Sequence, residues 1–421
     1  MTTRIMNINR RLLSSKLTLS YNINNKTKSL ALSRLSSSSS SSFSTSSSYD
    51  PISSSYKYFN REEYNTARKK GKYNYLIKIS PESIQQDAKI LNLSDPNDEA
   101  NESLVNGGQN LPYGSKVLKT GMTLEDLEIS NGDLPNVLFV SPSCVKARVQ
   151  LPLVLERYPS IQWVHVRSAG IDFVVSDELT TLITNSYDKK HNNQNPIRVT
   201  NAKGQFSSSL AEYTMMACSY FAKDIPRLFK QKQNKQWIKY NVQELRGKTL
   251  GIVGYGDIGR ACAKLAYMYG MKIVALRRNP KLSMNDPYCE VVYGTDKASL
   301  NKLMSESDYI VCSAPSTVET RGMVNAEAFE CVKEDAVFIN LGRGPVVDEE
   351  ALLKALKGGR LKGAALDVFK EEPLPENNEL WDLDNVLLSP HNMDQTNTFM
   401  HGEFNQIKKN MNGIIVLDII Y

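Results

Sequence analysis

The chain has 421 residues, enough for two domains and a substantial core, and its 41% hydrophobic and 23% charged content is that of a soluble globular protein. The net charge of +6 sits at one end: Arg4, Arg10, Arg11, Lys16, Lys26, Lys28 and Arg34 precede Asp50 with no acid among them, and removing those seven takes +6 to −1. Composition thus excludes a basic field for nucleic acid, and no apolar run is long enough to span a bilayer.

Residues 1–50 read as a targeting segment, rich in arginine, serine and leucine, with a low-complexity run at Ser36–Ser48. Mitochondrial import is expected, with plastid import or a cytoplasmic tail as alternatives; a fluorescent fusion lacking the segment tests it. From Tyr73 to about Arg198 an α/β unit follows. Strands are predicted at Tyr75–Ile79, Val137–Val140 and Ile161–Val166, a helix near Val149–Tyr158, and surface loops at Asp95–Ser115 and Ser186–Pro196. The strand Ile161–Val166 runs into Ser168-Ala169-Gly170, small residues whose backbone N–H groups suit an anion cradle. His165, inside that strand, reads as a packed side chain, and Arg167 faces either solvent or a cleft.

Thr200–Lys230 reads as a crossover and one long helix, with Leu210, Tyr213, Thr214, Ala217 and Phe221 on a helical period. Met215 and Met216 belong to the core or to a subunit contact. Next comes the most informative stretch, Gly247–Arg278. An apolar run at Thr249–Val253 leads into Gly254-Tyr255-Gly256-Asp257-Ile258-Gly259, a helical pattern follows, and a second apolar run begins at Met271. Strand, glycine turn, helix and strand in that order read as a dinucleotide site, with a structural βαβ unit that has lost its ligand as the alternative. Gly254 serves the tight turn, Gly256 the close approach of a pyrophosphate and Gly259 the contact of helix with strand. A carboxylate at the tip of the second strand would bind an unmodified ribose. Arg277 and Arg278 stand there instead, with no acid before Asp286, so NADP(H) is expected over NAD(H). Further strands are predicted at Tyr309–Cys312, Ala336–Asn340, Gly363–Leu366 and Asn385–Leu388, and strand alternating with helix gives a doubly wound parallel sheet. The six cysteines form no C-x-x-C pair and the four histidines add no metal-ligand spacing, so no metal is expected and the thiols read as reduced.

Three charged residues lie just past three successive strands of this sheet: Arg343, Glu372 and His391. Ligands bind outside the carboxyl ends of such strands. A ketone that accepts hydride becomes an alkoxide and needs a proton, which an imidazolium delivers near neutral pH. A carboxylate beside the imidazole favours its charged form, and a guanidinium holds a substrate carboxylate in its fork of donors. His391 is therefore the expected acid/base, Glu372 or Glu371 its partner and Arg343 the substrate anchor. Taken singly, Arg343 also suits the cofactor and His391 a strand cap.

The motifs RSAGID, VTNAKGQFSSSLAEY, GIVGYGDIGR, SAPSTVETRGMV, FINLGRGPVVDEEAL, GAALDVFKEEPLP and NVLLSPHNMDQT, spread over Val137–Thr396, resemble those of the D-isomer-specific 2-hydroxyacid dehydrogenases, the glyoxylate and hydroxypyruvate reductase group in particular. The resemblance implies two Rossmann-like, doubly wound α/β domains with a cleft between them, one nucleotide-binding and one flavodoxin-like for the substrate. It selects Glu372 over Glu371. It also implies that Ala169 and Gly170 offer backbone N–H groups to the substrate carboxylate, that Asp257 and Ile258 lie against the pyrophosphate, that Pro315 lines the cofactor cleft and that Asp367 approaches the nicotinamide carboxamide. The implied reaction is NAD(P)H-dependent reduction of a small 2-oxo acid to the D-2-hydroxy acid, in a homodimer joined through its nucleotide domains. A cofactor-sensing protein resembling corepressors of this fold, and a phosphoglycerate dehydrogenase-type enzyme, are the alternatives. Expected boundaries are a leader to residue 50, a substrate domain over 51–198, a nucleotide domain over 199–395 and a return segment over 396–421. Two departures stand out: Asn392-Met393-Asp394-Gln395 replaces the usual glycine-rich turn after the histidine, and about thirty residues remain after His391 in place of a long return helix.

Overall fold

The computed structural model describes residues 75–77, 88–98, 101, 115–130, 132–186, 196–396 and 415–417. The expected targeting segment, most of both predicted surface loops and most of the return segment lie outside the described residues.

Five parallel strands form the first sheet: β2 (Lys89–Leu93), β3 (Lys116–Gly121), β4 (Val137–Val140), β5 (Trp163–Val166) and β6 (Arg198–Asn201), in the order β3-β2-β4-β5-β6. This is the flavodoxin-type order. Helices α1 (Ala147–Arg157) and α2 (Asp177–Ser186) cross over between its strands. Three of the five strands were not read from the sequence, β2, β3 and β6; β6 falls where a crossover was predicted. The predicted first strand is real over Tyr75–Ile77 (β1) but stands apart from this sheet: it pairs antiparallel with β14 (Ile415–Leu417) as a separate ribbon.

The second sheet has seven parallel strands: β7 (Thr249–Val253), β8 (Lys272–Leu276), β9 (Val291–Tyr293), β10 (Tyr309–Cys312), β11 (Val337–Asn340), β12 (Gly363–Leu366) and β13 (Val386–Leu388). Their order, β13-β12-β11-β10-β7-β8-β9, reverses direction between β7 and β10. That switch point opens a crevice at the carboxyl ends of both strands, the place where this topology binds nucleotides. Side chains alternate across the sheet, as a strand requires. Tyr309 and Val311 face a core built with α3 (Ser207–Ala222) and α5 (Asp257–Met268), whereas Ile310 and Cys312 face one built with α6 (Lys297–Glu306), α7 (Ala326–Glu330) and α8 (Glu349–Lys357). Large side chains such as Phe338 and Phe329 are fully buried there, each contributing about 1.5–3 kcal/mol.

The predicted long helix is two helices. α3 ends at Ala222 and α4 (Ile225–Gln233) begins after Asp224, whose φ of 50° turns the chain. Pro226, in the first turn of α4, has no N–H to donate to the Ala222 carbonyl four residues back and its ring would clash with it, which is why one helix cannot run through. Met215 is buried and Met216 exposed.

Candidate active site

The glycine turn lies at the switch point. Gly254 has φ of 101°, and a Cβ there would stand 2.7 Å from the Ala314 nitrogen of the β10 exit loop, so only glycine fits. A Cβ on Gly259 would meet the Gly254 carbonyl oxygen at 2.4 Å, which holds α5 against its strand. Gly256 differs: nothing lies within 4 Å of where its Cβ would be, so the space before α5 is open. As the residue just before α5, Gly256 offers no side chain to cap the helix, and the first-turn N–H groups face that space together with the helix dipole. Asp257 and Ile258 form that first turn, and Pro315 is exposed beyond β10. These residues fit a dinucleotide pyrophosphate.

Arg277 and Arg278 follow β8. Arg277 is half-buried and its Nη1 donates to Ser283 Oγ at 2.5 Å, whereas Arg278 is exposed. The next acid in sequence, Asp286, does not compete for this position: its side chain is 7% exposed and bound by Arg260 Nε of α5 at 2.5 Å.

Arg343, Glu372 and His391 extend from β11, β12 and β13, which are neighbours in the sheet. Glu372 Oε2 lies 2.8 Å from His391 Nδ1, and its Oε1 accepts the Phe369 N–H at 2.9 Å. With the carboxylate as acceptor, Nδ1 carries the proton and Nε2 is left for a substrate. The bond to Glu372 raises His391 above the ordinary imidazole value, against burial and the Arg343 charge. Burial alone would raise Glu372, but the His391 bond, the Phe369 N–H and the charges of His391 and Arg343 outweigh it and hold the carboxyl below its usual range. His391 adopts φ of 51°, a conformation that costs a non-glycine residue about 1–3 kcal/mol. The buried Asp367 secures that turn: its Oδ1 accepts Ser389 Oγ at 2.7 Å and the Asn392 N–H at 3.1 Å. On the next residue, the Met393 carbonyl accepts Ser209 Oγ of α3 at 2.5 Å.

Arg343 reaches the other sheet. A Cβ on Gly170 would lie 1.7 Å from Arg343 Nη2, so the end of β5 and the end of β11 meet at this glycine. Asn201 Nδ2 holds the Ala169 carbonyl at 2.8 Å, and no hydrogen bond uses the N–H of Ala169 or Gly170 among the described residues. Those groups therefore present donors beside a guanidinium. Two other basic groups of β5 and its exit turn away: His165 is fully buried against Thr200 Oγ1 at 2.8 Å, with burial pushing it down to about 3, and buried Arg167 donates to Asn101 at 3.1 Å. Sequence reasoning assigned no role to Asp172, Ser389 or Asp394. Asp172 Oδ1 lies 3.2 Å from Arg343 Nε, and the half-buried Asp394 feels the charges of His391 and Arg343. Among the described residues no group of histidine, cysteine and acid could hold a metal.

Residues 215–392 match the family described as D-isomer specific 2-hydroxyacid dehydrogenase, NAD binding domain. The glyoxylate reductase of Thermococcus litoralis is 34% identical over 267 residues, covering 61% of this chain and 75% of that protein. That of Pyrococcus furiosus is 33% identical, covering 56% and 68%. The chain belongs to the D-isomer specific 2-hydroxyacid dehydrogenase family. As a member it is an NAD(P)-dependent oxidoreductase, and its two-sheet architecture is the family's: the dehydrogenase of Xanthobacter autotrophicus solved with NADPH and MES superposes with a TM-score of 0.60 at 25% identity, over 77% of this chain and 94% of that one.

Proposed function

We propose that this dehydrogenase reduces a small 2-oxo acid, of the glyoxylate or hydroxypyruvate kind, to the D-2-hydroxy acid. The observation that carries the reading is the 2.8 Å His391–Glu372 pair beside Arg343 and the Gly170 backbone. A nicotinamide dinucleotide at the Gly254–Gly259 turn supplies the hydride. Arg343 and the N–H groups of Ala169 and Gly170 hold the substrate carboxylate, which turns the adjacent carbonyl towards His391. His391 Nε2 delivers the proton as the carbonyl oxygen gains charge, and Glu372 stabilises the imidazolium before transfer. The relatives named glyoxylate reductase support this substrate class.

Arg277 and Arg278 at the tip of β8, with Asp286 bound by Arg260, favour NADP(H) over NAD(H). The Xanthobacter enzyme, solved with NADPH, supports the same preference. Michaelis constants for NADPH and NADH test it. Changing Arg277→Ala together with Arg278→Ala raises the NADPH constant roughly tenfold or more and leaves that for NADH nearly unchanged. A wild-type preference for NADH contradicts the reading.

The active form is a homodimer joined through the nucleotide-binding side. α4 and the segment after it expose Leu228, Phe229 (59%), Trp237 (94%), Ile238 and Val242, an apolar surface that a second copy would cover. Sedimentation of the full chain gives a dimer on this account, and Trp237→Asp shifts it towards monomer; a wild-type monomer at micromolar concentration overturns it.

A further inference from the structure

Asp172 lies six residues past the end of β5, on the same loop as Gly170, and its contacts point in two directions. Its carbonyl accepts Arg148 Nη2 of α1 at 2.6 Å, which fixes the backbone on the side of the first sheet. Its carboxylate crosses to the second sheet, where Oδ1 accepts Arg343 Nε at 3.2 Å. The two residues are 171 apart in sequence. The acid is half exposed and the guanidinium less so, and a pair so accessible to water adds little to stability. Its consequence is directional. A guanidinium is a rigid planar fork. Nε is held by Asp172 and Nη1 by the Gly342 carbonyl at 2.8 Å, and this orients the plane so that Nη2 stands where Gly170 leaves room for it.

We infer that Asp172 is a positioning residue: it fixes the Arg343 fork so that Nη2 and the free N–H of Gly170 together form the seat for the substrate's carboxylate. This rests on the reading of Arg343 as carboxylate anchor. Asp172 itself touches neither substrate nor cofactor and acts only through Arg343. Because the acceptor matters more than the charge, an asparagine at 172 keeps most of the effect and an alanine does not.

The test is a double-mutant cycle on the full chain, with Asp172→Ala, Arg343→Gln and the pair, plus Asp172→Asn. Read out are KM and kcat for glyoxylate and hydroxypyruvate with NADPH, the dissociation constant of NADPH, and that of oxamate for the protein–NADPH complex, which needs no turnover. Asp172→Ala raises KM and the oxamate constant about tenfold, changes kcat less and leaves NADPH binding unchanged. Asp172→Asn lies within about threefold of wild type, and Asp172→Ala adds nothing once Arg343→Gln is present. A purely structural role instead lowers NADPH binding or acts equally in both backgrounds, and either result overturns the inference, as does a wild-type KM in Asp172→Ala. Wild-type protein that neither turns over these acids nor binds oxamate overturns the underlying reading, and the positioning role with it.

Discussion

Replacing His391 with asparagine is expected to lower kcat for 2-oxo acid reduction by about 10²–10⁴-fold, the usual contribution of a positioned acid, with cofactor affinity unchanged. Asparagine is the informative choice because residue 391 sits at φ of 51°, a region it tolerates better than alanine does. The substitution thus removes the proposed proton donor and not the turn that Asp367 secures. The same residue sets the pH profile. With His391 as the proposed proton donor, reduction needs it protonated, and Glu372 raises its pKa, so the rate is expected to hold above the ordinary imidazole value and to fall as pH rises through the raised pKa. Glu372→Gln removes the carboxylate charge and moves that fall to lower pH. For stability the two partners of the pair act at opposite ends of the pH range. The raised His391 contributes while it is protonated, and this is lost as pH rises through its folded pKa; the lowered Glu372 contributes above its unfolded pKa, and this is lost as pH falls through its folded one. A rate profile that Glu372→Gln leaves in place contradicts the pairing.

The second large effect belongs to a single methyl group. In Gly170→Ala the added carbon would fall 1.7 Å from Arg343 Nη2 and 2.8 Å from Asp172 Oδ1, so the guanidinium must move. These are side-chain ends, and the fold can absorb their displacement, so the melting temperature changes little. The anchor cannot absorb it. A shift on the order of 1 Å in a group that orients substrate costs about 10²-fold, and kcat/KM for the 2-oxo acid should drop by roughly 10- to 100-fold with unchanged NADPH binding. Wild-type kcat/KM in Gly170→Ala contradicts the placement of Arg343 at the substrate carboxylate.

What the sequence revealed followed physical distinctness. The turn Gly254–Gly259 and the buried strands β7, β10 and β11 were legible because unbroken apolar runs and glycines with a steric purpose leave a pattern in any context. Arg343, Glu372 and His391 were legible because each follows a readable strand. β2 and β3 were not, since KILNL and KVLKTG are interrupted by polar residues and set among polar loops. β6 has four residues, of which only Thr200 is buried, and its pairing with β5 decides its state more than its own composition does. The break at Asp224 had a signal in Pro226, outweighed by the helical period on either side. Asp172 stood inside a quoted motif, but its partner is 171 residues away and no local pattern encodes that meeting.

The most direct measurement is NADPH oxidation by the full chain with glyoxylate, hydroxypyruvate, pyruvate and phenylpyruvate, beside the His391→Asn variant. The account predicts turnover of at least one small 2-oxo acid, a D-2-hydroxy acid as product where the product is chiral, and loss of turnover in the variant. Folded protein that binds NADPH and reduces none of them, or a variant as active as wild type, contradicts it.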